Sequence, residues 1–291
     1  MKLSDQQKGT LLAFTAVLII TPDSLLIRLT SVEDWGLIFY RGLIGSITIS
    51  LIFLFFDKKN FFKSFLLIGL AGVLNVLVII SANITFILSI ENTNVANTLV
   101  MLSLTPFIAA IISFFVLSER PPFRTCLAII ITFSCVIFIF YDSMGTGRLF
   151  GDILGVMTAT AVGGSAVIIR YAKKINFIPT IIIGKFTVAL ISLIFAKSLI
   201  LHGNDLIYVL LMGLFTIGIP FYLLTIAPKY ITATEVSLFW LLETALGPFW
   251  VWLVIKEQPS VNTIIGGSII IFTIFIHSLL SLKKDRKKQA N

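Results

Sequence analysis

Charge is what this chain has least of. Only 12% of its 291 residues are Asp, Glu, Lys or Arg, against about 25% in a soluble protein, and that excludes a body surrounded by water. Cysteine is scarce too: Cys126 and Cys135 are the two, nine residues apart in one apolar run. A straight helix would set them ~13 Å apart along its axis, too far for a disulfide, so they read as small packing residues. The two histidines, His202 and His277, are distant in sequence and offer no metal-ligand spacing. Phosphate-cradling loops, nucleophile elbows and zinc patterns are missing as well. Nothing here asks for a metal or a cofactor, and enzymatic chemistry has no recognisable signature.

What the chain has in abundance is apolar surface: 57% hydrophobic residues and a mean hydropathy of +1.04. A membrane span needs ~20 mostly apolar residues at 1.5 Å rise each. Measured that way the sequence yields ten candidates, at about 9–28, 36–56, 64–89, 93–117, 125–141, 151–171, 177–199, 206–227, 234–255 and 261–282. Their length and uniformity predict helices, since lipid tolerates only helices or closed barrels. The connections are short and leave no room for a soluble catalytic domain. Residues 9–28 could pass for a signal peptide, but Thr21-Pro22-Asp23 stands where small cleavage-site residues would be expected, so the segment reads as a retained helix.

The net charge of +8 is explained by topology before nucleic acid need be considered. With the N-terminus inside, sixteen of the 22 basic residues fall on the cytoplasmic side, among them Lys2, Lys8, Lys58, Lys59, Lys63, Arg120, Arg124, Arg170, Lys173, Lys174, Lys229 and the tail from Lys283 to Lys288. Arg28, Arg148, Lys197 and Lys256 fall opposite, and Arg41 and Lys185 lie within spans. This is the positive-inside asymmetry. It predicts an even span count, both termini cytoplasmic, and a multi-pass protein of the cell membrane. The lipid bilayer is the expected partner, with some attraction of the basic tail to anionic lipid.

The chain also repeats. Glu119, Pro121 and Thr125 correspond to Glu257, Pro259 and Thr263, each 138 positions later. Gly9, Leu12, Ile27 and Arg28 correspond to Gly151, Leu154, Ile169 and Arg170 at a spacing of 142, and Ser50–Phe53 recurs as Ser192–Phe195. The polar and proline matches weigh more than the leucines, which are common in any apolar helix. The halves divide at 1–141 and 142–291. Five spans each, an odd number, would make the second half enter from the opposite side: an all-α integral membrane fold of ten transmembrane helices in two inverted five-helix repeats. Such repeats are a recurring construction among secondary transporters.

In the 138 frame Thr105 falls on Glu243, a lone acid about nine residues from either end of its span, hence ~14 Å from each interface. An acid there costs about 2.5–3.5 kcal/mol on insertion scales, so it is a functional candidate by default, for proton coupling or ligand contact. Thr244, Gly247 and Pro248 follow it, and Pro248 removes a helical hydrogen bond; Pro106, beside Thr105, is expected to kink the fourth span in the same way. Asp23 and Arg41 each lie about six residues inside the same end of neighbouring spans, ~8 Å deep, where a mutual salt bridge would lower the cost of both and could gate the outer side. Lys185 stands near the position equivalent to Arg41 and could bind an anionic substrate group or balance Glu243. Phe239, Trp240, Trp250 and Trp252 share a span with Glu243; an aromatic patch beside a charge suits an amphiphilic ligand, although Trp250 and Trp252 lie nearer the outer interface, the usual place for tryptophan. Asn75, Asn83, Asn97, Thr98 and Tyr222 add polar groups, some of them interhelical glue. Gly42, Gly45, Gly69, Gly72, Gly266 and Gly267 mark expected close helix approach.

These motifs resemble the drug/metabolite transporter superfamily in its EamA-like branch. The resemblance runs over about residues 9–280 and rests most on Glu119 with Pro121, and on Leu242-Glu243-Thr244, Gly247-Pro248, Trp252, Glu257, Pro259 and Gly266-Gly267. It implies ten helices, cytoplasmic termini and a central cavity lined by both halves. It also implies movement of small organic solutes, amino acids among them, without nucleotide hydrolysis, and with proton coupling in some members. Glu119 and Glu257 carry over as structural or gating positions. The expected function is therefore a secondary transporter of a small organic metabolite, amino-acid-like or related, working by alternating access. Its substrate or coupling residues would be Glu243, Thr244, Thr105, Trp240, Tyr222, Asn83 and Lys185, its gate Asp23 and Arg41. Two other readings compete: a non-transporting packing partner of another membrane protein, and an integral-membrane lipid-processing enzyme, for which the chain offers few polar groups near an interface.

Overall fold

The computed structural model describes residues 5–118, 122–172, 175–227, 230 and 233–290. Glu119, Arg120, Pro121, Lys2, Lys173, Lys174 and Lys229 lie outside them, as do the side chains of His277 and the basic tail. Among the described residues every regular element is helical, as lipid demands of backbone that cannot hydrogen-bond to water.

The elements run α1 (Asp5–Ile20), α2 (Asp23–Leu29), α3 (Asp34–Phe56), the short α4 (Phe61–Leu66), α5 (Gly69–Asn92), α6 (Val95–Leu102), α7 (Thr105–Leu117), α8 (Phe123–Thr146), α9 (Leu149–Tyr171), α10 (Ile178–Phe195), α11 (Asp205–Leu211), a π-helical stretch (Met212–Gly218), α12 (Ile219–Ile226), α13 (Ala233–Ile255) and α14 (Val261–Ala290). Eight described helical segments are long and apolar enough to cross a membrane: Gln6–Leu29, Asp34–Phe56, Gly69–Asn92, Val95–Leu117, Phe123–Thr146, Leu149–Tyr171, Ile178–Phe195 and Asp205–Ile226. Leu242–Ile255 and Val261–Ile276 are apolar but shorter. Eight of the ten expected spans are thus present at full length among the described residues, and the two shorter apolar helices stand at the places of the other two. The expected span at 64–89 begins later, because the chain breaks after α4 and restarts at Gly69, whose φ of +55° only glycine adopts without strain. The seventh ends at Phe195, short of the expected 199.

Three spans are interrupted, and the interruptions shape the interior. The first breaks at Thr21-Pro22 between α1 and α2, where the Thr21 hydroxyl donates to the Leu18 carbonyl at 2.9 Å. The fourth breaks at Ser103-Leu104. Pro106 therefore sits in the first turn of a new helix, where its missing N–H is no loss; it does not kink a continuous one, contrary to expectation. Pro248 does lie inside an uninterrupted helix, α13. The eighth span carries the π stretch, which its sequence gave no reason to expect.

The two repeats interlock through glycine-lined seams. The largest packing faces are α5 against α9 and α3 against α10, each pairing one helix from either half. A Cβ on Gly42 would come within 2.7 Å of the Lys185 carbonyl, and one on Gly155 within 3.0 Å of the Met101 side chain, so side-chain-free surface lets these backbones approach. Gly267 meets Val100 in the same manner, but Gly69 has nothing within 4 Å and serves its turn alone.

Candidate functional site

α2 and α3 each contribute one charge to a common buried pair. The Arg41 guanidinium donates from both Nη atoms to Asp23, Nη1 to Oδ1 and Nη2 to Oδ2, each at 2.8 Å. Both residues are buried, at 8% and 4% exposure. A bidentate pair fixes both side chains in one orientation, as a point-charge contact would not. The π stretch completes the arrangement: the Thr216 hydroxyl donates to Asp23 Oδ1, and Met212 Sδ lies 3.0 Å from Arg41 Nη1. One extra residue per turn is what brings both side chains of the eighth span toward the pair, and such π turns recur at functional sites.

Glu243 is buried at 5% exposure in α13 and makes no described hydrogen bond or ion pair. One turn further, Gly247 packs directly against Leu99 of α6. Antiparallel α6 and α13 thus place Glu243 level with Ser103-Leu104, where α6 gives way to α7. α6 packs on α9, α13 and α14, whereas α7 keeps α9 as its main partner, with Gly163 of α9 against the Thr105 carbonyl.

Lys185 of α10 is a further buried charge, at 2% exposure. Its Nζ donates to Asn83 Oδ1 at 2.8 Å and lies 4.7 Å from the centre of the Phe221 ring. Nothing in the sequence paired Asn83 with Lys185; the packing of α5 against α10 brings them together.

The remaining expected residues divide. Trp240 is partly buried, one helical turn before Thr244, whose hydroxyl reaches the Trp240 carbonyl at 3.4 Å. Thr105 turns its hydroxyl onto the Leu102 carbonyl at 2.6 Å, a local bond that holds the helix break. Tyr222 lies in a separate apolar cluster with Ile49, Phe53, Ile178 and Ile182, stacked on Phe56 at 5.8 Å; it is not gathered with the charges. Trp250 departs from the interfacial reading: its Nε1–H donates to Thr21 Oγ1 at 3.2 Å, tying α13 to the first break. Trp252 is 43% exposed and packs beside Phe249 and under the Lys256 ammonium.

Sequence reasoning gave Glu257 a structural or gating place but missed the polar clasp it joins, at the end of the bundle where α2, α5 and α13 terminate. Arg28 Nε lies 3.2 Å from Glu257 Oε2, Nη1 lies 3.8 Å from Glu91 Oε2, and Nη2 donates to the Thr93 carbonyl at 2.7 Å. The other oxygen of Glu257 accepts from the Val95 N–H at 2.8 Å, at the amino end of α6, where a carboxylate is favoured by the helix dipole. Arg28 and Glu257 come from different halves, so the clasp bridges them. Beside it, the buried Asp152 accepts from the Thr93 hydroxyl at 2.6 Å and from Asn97 at 3.0 Å, and Asn97 accepts from Thr263 at 2.5 Å. Asp205 accepts from the Ser31 N–H and hydroxyl at 2.9 and 2.7 Å. Arg28 had been assigned only to topology, and Asp152 and Asp205 stand near span ends where an acid is unremarkable; the repeat match at Arg28 and Glu257 was the available signal.

A groove of about 600 Å³ runs over Leu77, Val78, Ile112, Phe140, Ile153 and Met157. It is apolar and touches none of the charged groups. Among the described residues no group of His, Cys, Asp and Glu is placed to hold a metal.

The model of the EamA-like transporter family matches residues 7–141 and again 149–279. The chain belongs to the EamA-like transporter family. It is thus a multi-pass membrane protein of a family that transports small solutes, within the drug/metabolite transporter superfamily, and the sequence repeat is the family's own domain occurring twice. One crystal structure superposes over 94% of this chain and 98% of its own, with a TM-score of 0.70 at 16% identity; at that identity the likeness speaks for the fold. No curated protein matches.

Proposed function

We propose that this EamA-like chain is a secondary transporter that carries a small organic metabolite, amino-acid-like or related, across the cytoplasmic membrane, with both termini in the cytoplasm. The two halves are inverted relative to one another and rock about a centre formed by Glu243, Lys185, Asn83 and the Asp23–Arg41 pair. The observation that carries the reading is Glu243: a buried acid with no described partner, level with the break where α6 leaves α13. An intramembrane acid without a structural partner is expensive to keep unless it works.

The gate follows from the same geometry. Arg28, Glu91 and Glu257 hold the outer end closed, with Asp23–Arg41 and Trp250–Thr21 as a second layer beneath. The divergence of α7 from α13 below Leu104 suits access from the cytoplasmic side in this conformation. Transport then alternates between breaking the outer clasp and bringing α7 and α13 together. Glu243 is the group we assign to coupling, by binding and releasing a proton as it is opened to either side.

The test is flux. Purified full-length protein in vesicles should move a radiolabelled solute, and Glu243→Gln should insert normally yet abolish flux or its dependence on a proton gradient. Vesicles holding only this chain that pass none of a broad set of small metabolites would leave a packing role as the better reading.

A further inference from the structure

Lys185 is buried without an anion to balance it. Its ammonium can donate three hydrogen bonds. Asn83 Oδ1 takes one, at 2.8 Å, and the face of Phe221, 4.7 Å away, supplies weaker electrostatic support. Among the described residues no carboxylate lies within ion-pair distance of it. The contrast is with Arg41 on the adjacent α3. Arg41 is matched on both arms by Asp23, and Asp23 in turn accepts from Thr216, which leaves its oxygens committed. A buried cation left unpaired costs several kcal/mol, and proteins seldom keep one without use.

The surroundings hold Lys185 ready. The Asn83 Nδ2 donates to the Ile79 carbonyl at 2.7 Å, one turn earlier in α5. That bond fixes the amide so that its oxygen faces the ammonium. The lysine stem passes over Gly45 of α3, where a Cβ would stand 3.4 Å from Cδ, so the chain is directed across the seam between the halves. Phe221 belongs to α12 and Asn83 to α5, so both repeats meet at this one nitrogen.

We infer that the transported solute bears a carboxylate, and that Lys185, oriented by Asn83, is the group that receives it. The inference rests on the carrier reading and narrows it. Charge balance points the same way: Arg41 and Lys185 face one matched acid, Asp23, so the centre holds one surplus positive charge whenever Glu243 is protonated. A monoanionic group makes up that difference, and the face of Phe221 offers apolar contact to the carbon next to it.

The experiment uses full-length protein in lipid nanodiscs and three matched probe sets: phenylalanine, leucine and 3-phenylpropionate, each beside its uncharged-carboxyl amide. Thermal stabilisation and vesicle uptake are read for wild type, Lys185→Met, Lys185→Arg and Asn83→Asp. At least one acid should stabilise and enter with wild type, its amide should do neither, and Lys185→Arg should retain binding. Lys185→Met should weaken the acid by about thirtyfold or more, as for loss of one partner from a buried charged contact. Asn83→Asp keeps the lysine and installs a resident counter-ion in nearly the same volume, so it should weaken the acid comparably even if Lys185→Met folds poorly. Amides that bind as well as acids, or acids that bind Lys185→Met and Asn83→Asp undiminished, would overturn the assignment. A neutral solute carried equally by wild type and Lys185→Met removes the anion site while the carrier reading stands; absence of uptake for every solute removes both.

Discussion

Asp23 and Ser165 stand 142 positions apart; Asp23 joins its helix directly to two others, and Ser165 joins its helix to one directly and to a second through Asn75. Asp23 binds Arg41 of α3 and Thr216 of the π stretch. Ser165 of α9 donates to Asn75 Oδ1 of α5 at 2.6 Å, and Asn75 Nδ2 donates to Thr180 Oγ1 of α10 at 2.8 Å. Thr180 follows Arg41 by 139 positions and Thr216 follows Asn75 by 141, close to the spacing of the repeat. One half has made its junction ionic, the other has kept it neutral. That difference is where the duplicated halves become unequal.

The ionic junction should be far more sensitive to single changes than to paired ones. Asp23→Asn alone should destabilise the protein by about 3–5 kcal/mol, since Arg41 is left buried and unmatched. Asp23→Asn with Arg41→Met should recover part of that loss. Thermal unfolding of the purified protein checks both. Ser165→Ala, which removes one neutral hydrogen bond, should cost about 1 kcal/mol.

Glu243→Gln should reach the membrane in normal amount, since the amide fills the same space without a charge to bury. Uptake measured across a pH series should be lost or become flat. Wild-type uptake with an unchanged pH profile in the variant would remove Glu243 from coupling.

The clasp at Arg28 should control accessibility. In a chain lacking Cys126 and Cys135, Leu99→Cys is shielded by Gly247 above the level of Glu243. Adding Glu257→Gln should raise labelling of that thiol by a membrane-impermeant maleimide applied from outside. Arg28→Ala should do the same, and labelling that stays at the background of the unaltered clasp would show that these charges do not hold the outer end shut.

Two glycines separate packing from mere helix propensity. A Cβ on Gly151 would lie 2.5 Å from the Asn92 carbonyl carbon and 2.7 Å from the Thr93 nitrogen, backbone that cannot give way. Gly151→Ala should therefore cost about 1–3 kcal/mol. Gly164, thirteen residues on in the same helix, has nothing within 4 Å, and Gly164→Ala should be neutral or stabilising by up to about 1 kcal/mol. Melting temperatures of the two variants give the comparison directly.

The charged residues show where reading from sequence alone reached its limit. Glu243 was conspicuous because hydrocarbon penalises any acid at mid-depth, whatever the fold. Asp23 with Arg41 was legible for a related reason: two charges at equal depth on consecutive spans have few other ways to be neutral. Asp152 and Asp205 were overlooked because an acid at a span end is ordinary, and only packing reveals that these two are buried. Tyr222 falls in a separate apolar cluster, and one polar atom in a span does not tell which way its ring faces. The fourth span looked like a helix kinked at Pro106, yet the chain breaks two residues earlier, and proline opens the new helix.

By itself the sequence determined that this protein lives in lipid, is helical, is built twice over and belongs to a transporter family, because solvent, backbone hydrogen bonding and duplication leave marks in composition and spacing. Tertiary structure alone decided which charges meet. The π turn that delivers Thr216 to Asp23, the Arg28–Glu257 clasp between halves and the solitary position of Lys185 all depend on how helices distant in the chain rotate and cross. Helix rotation is set by the summed contacts of many apolar side chains, and no single residue of the sequence records it.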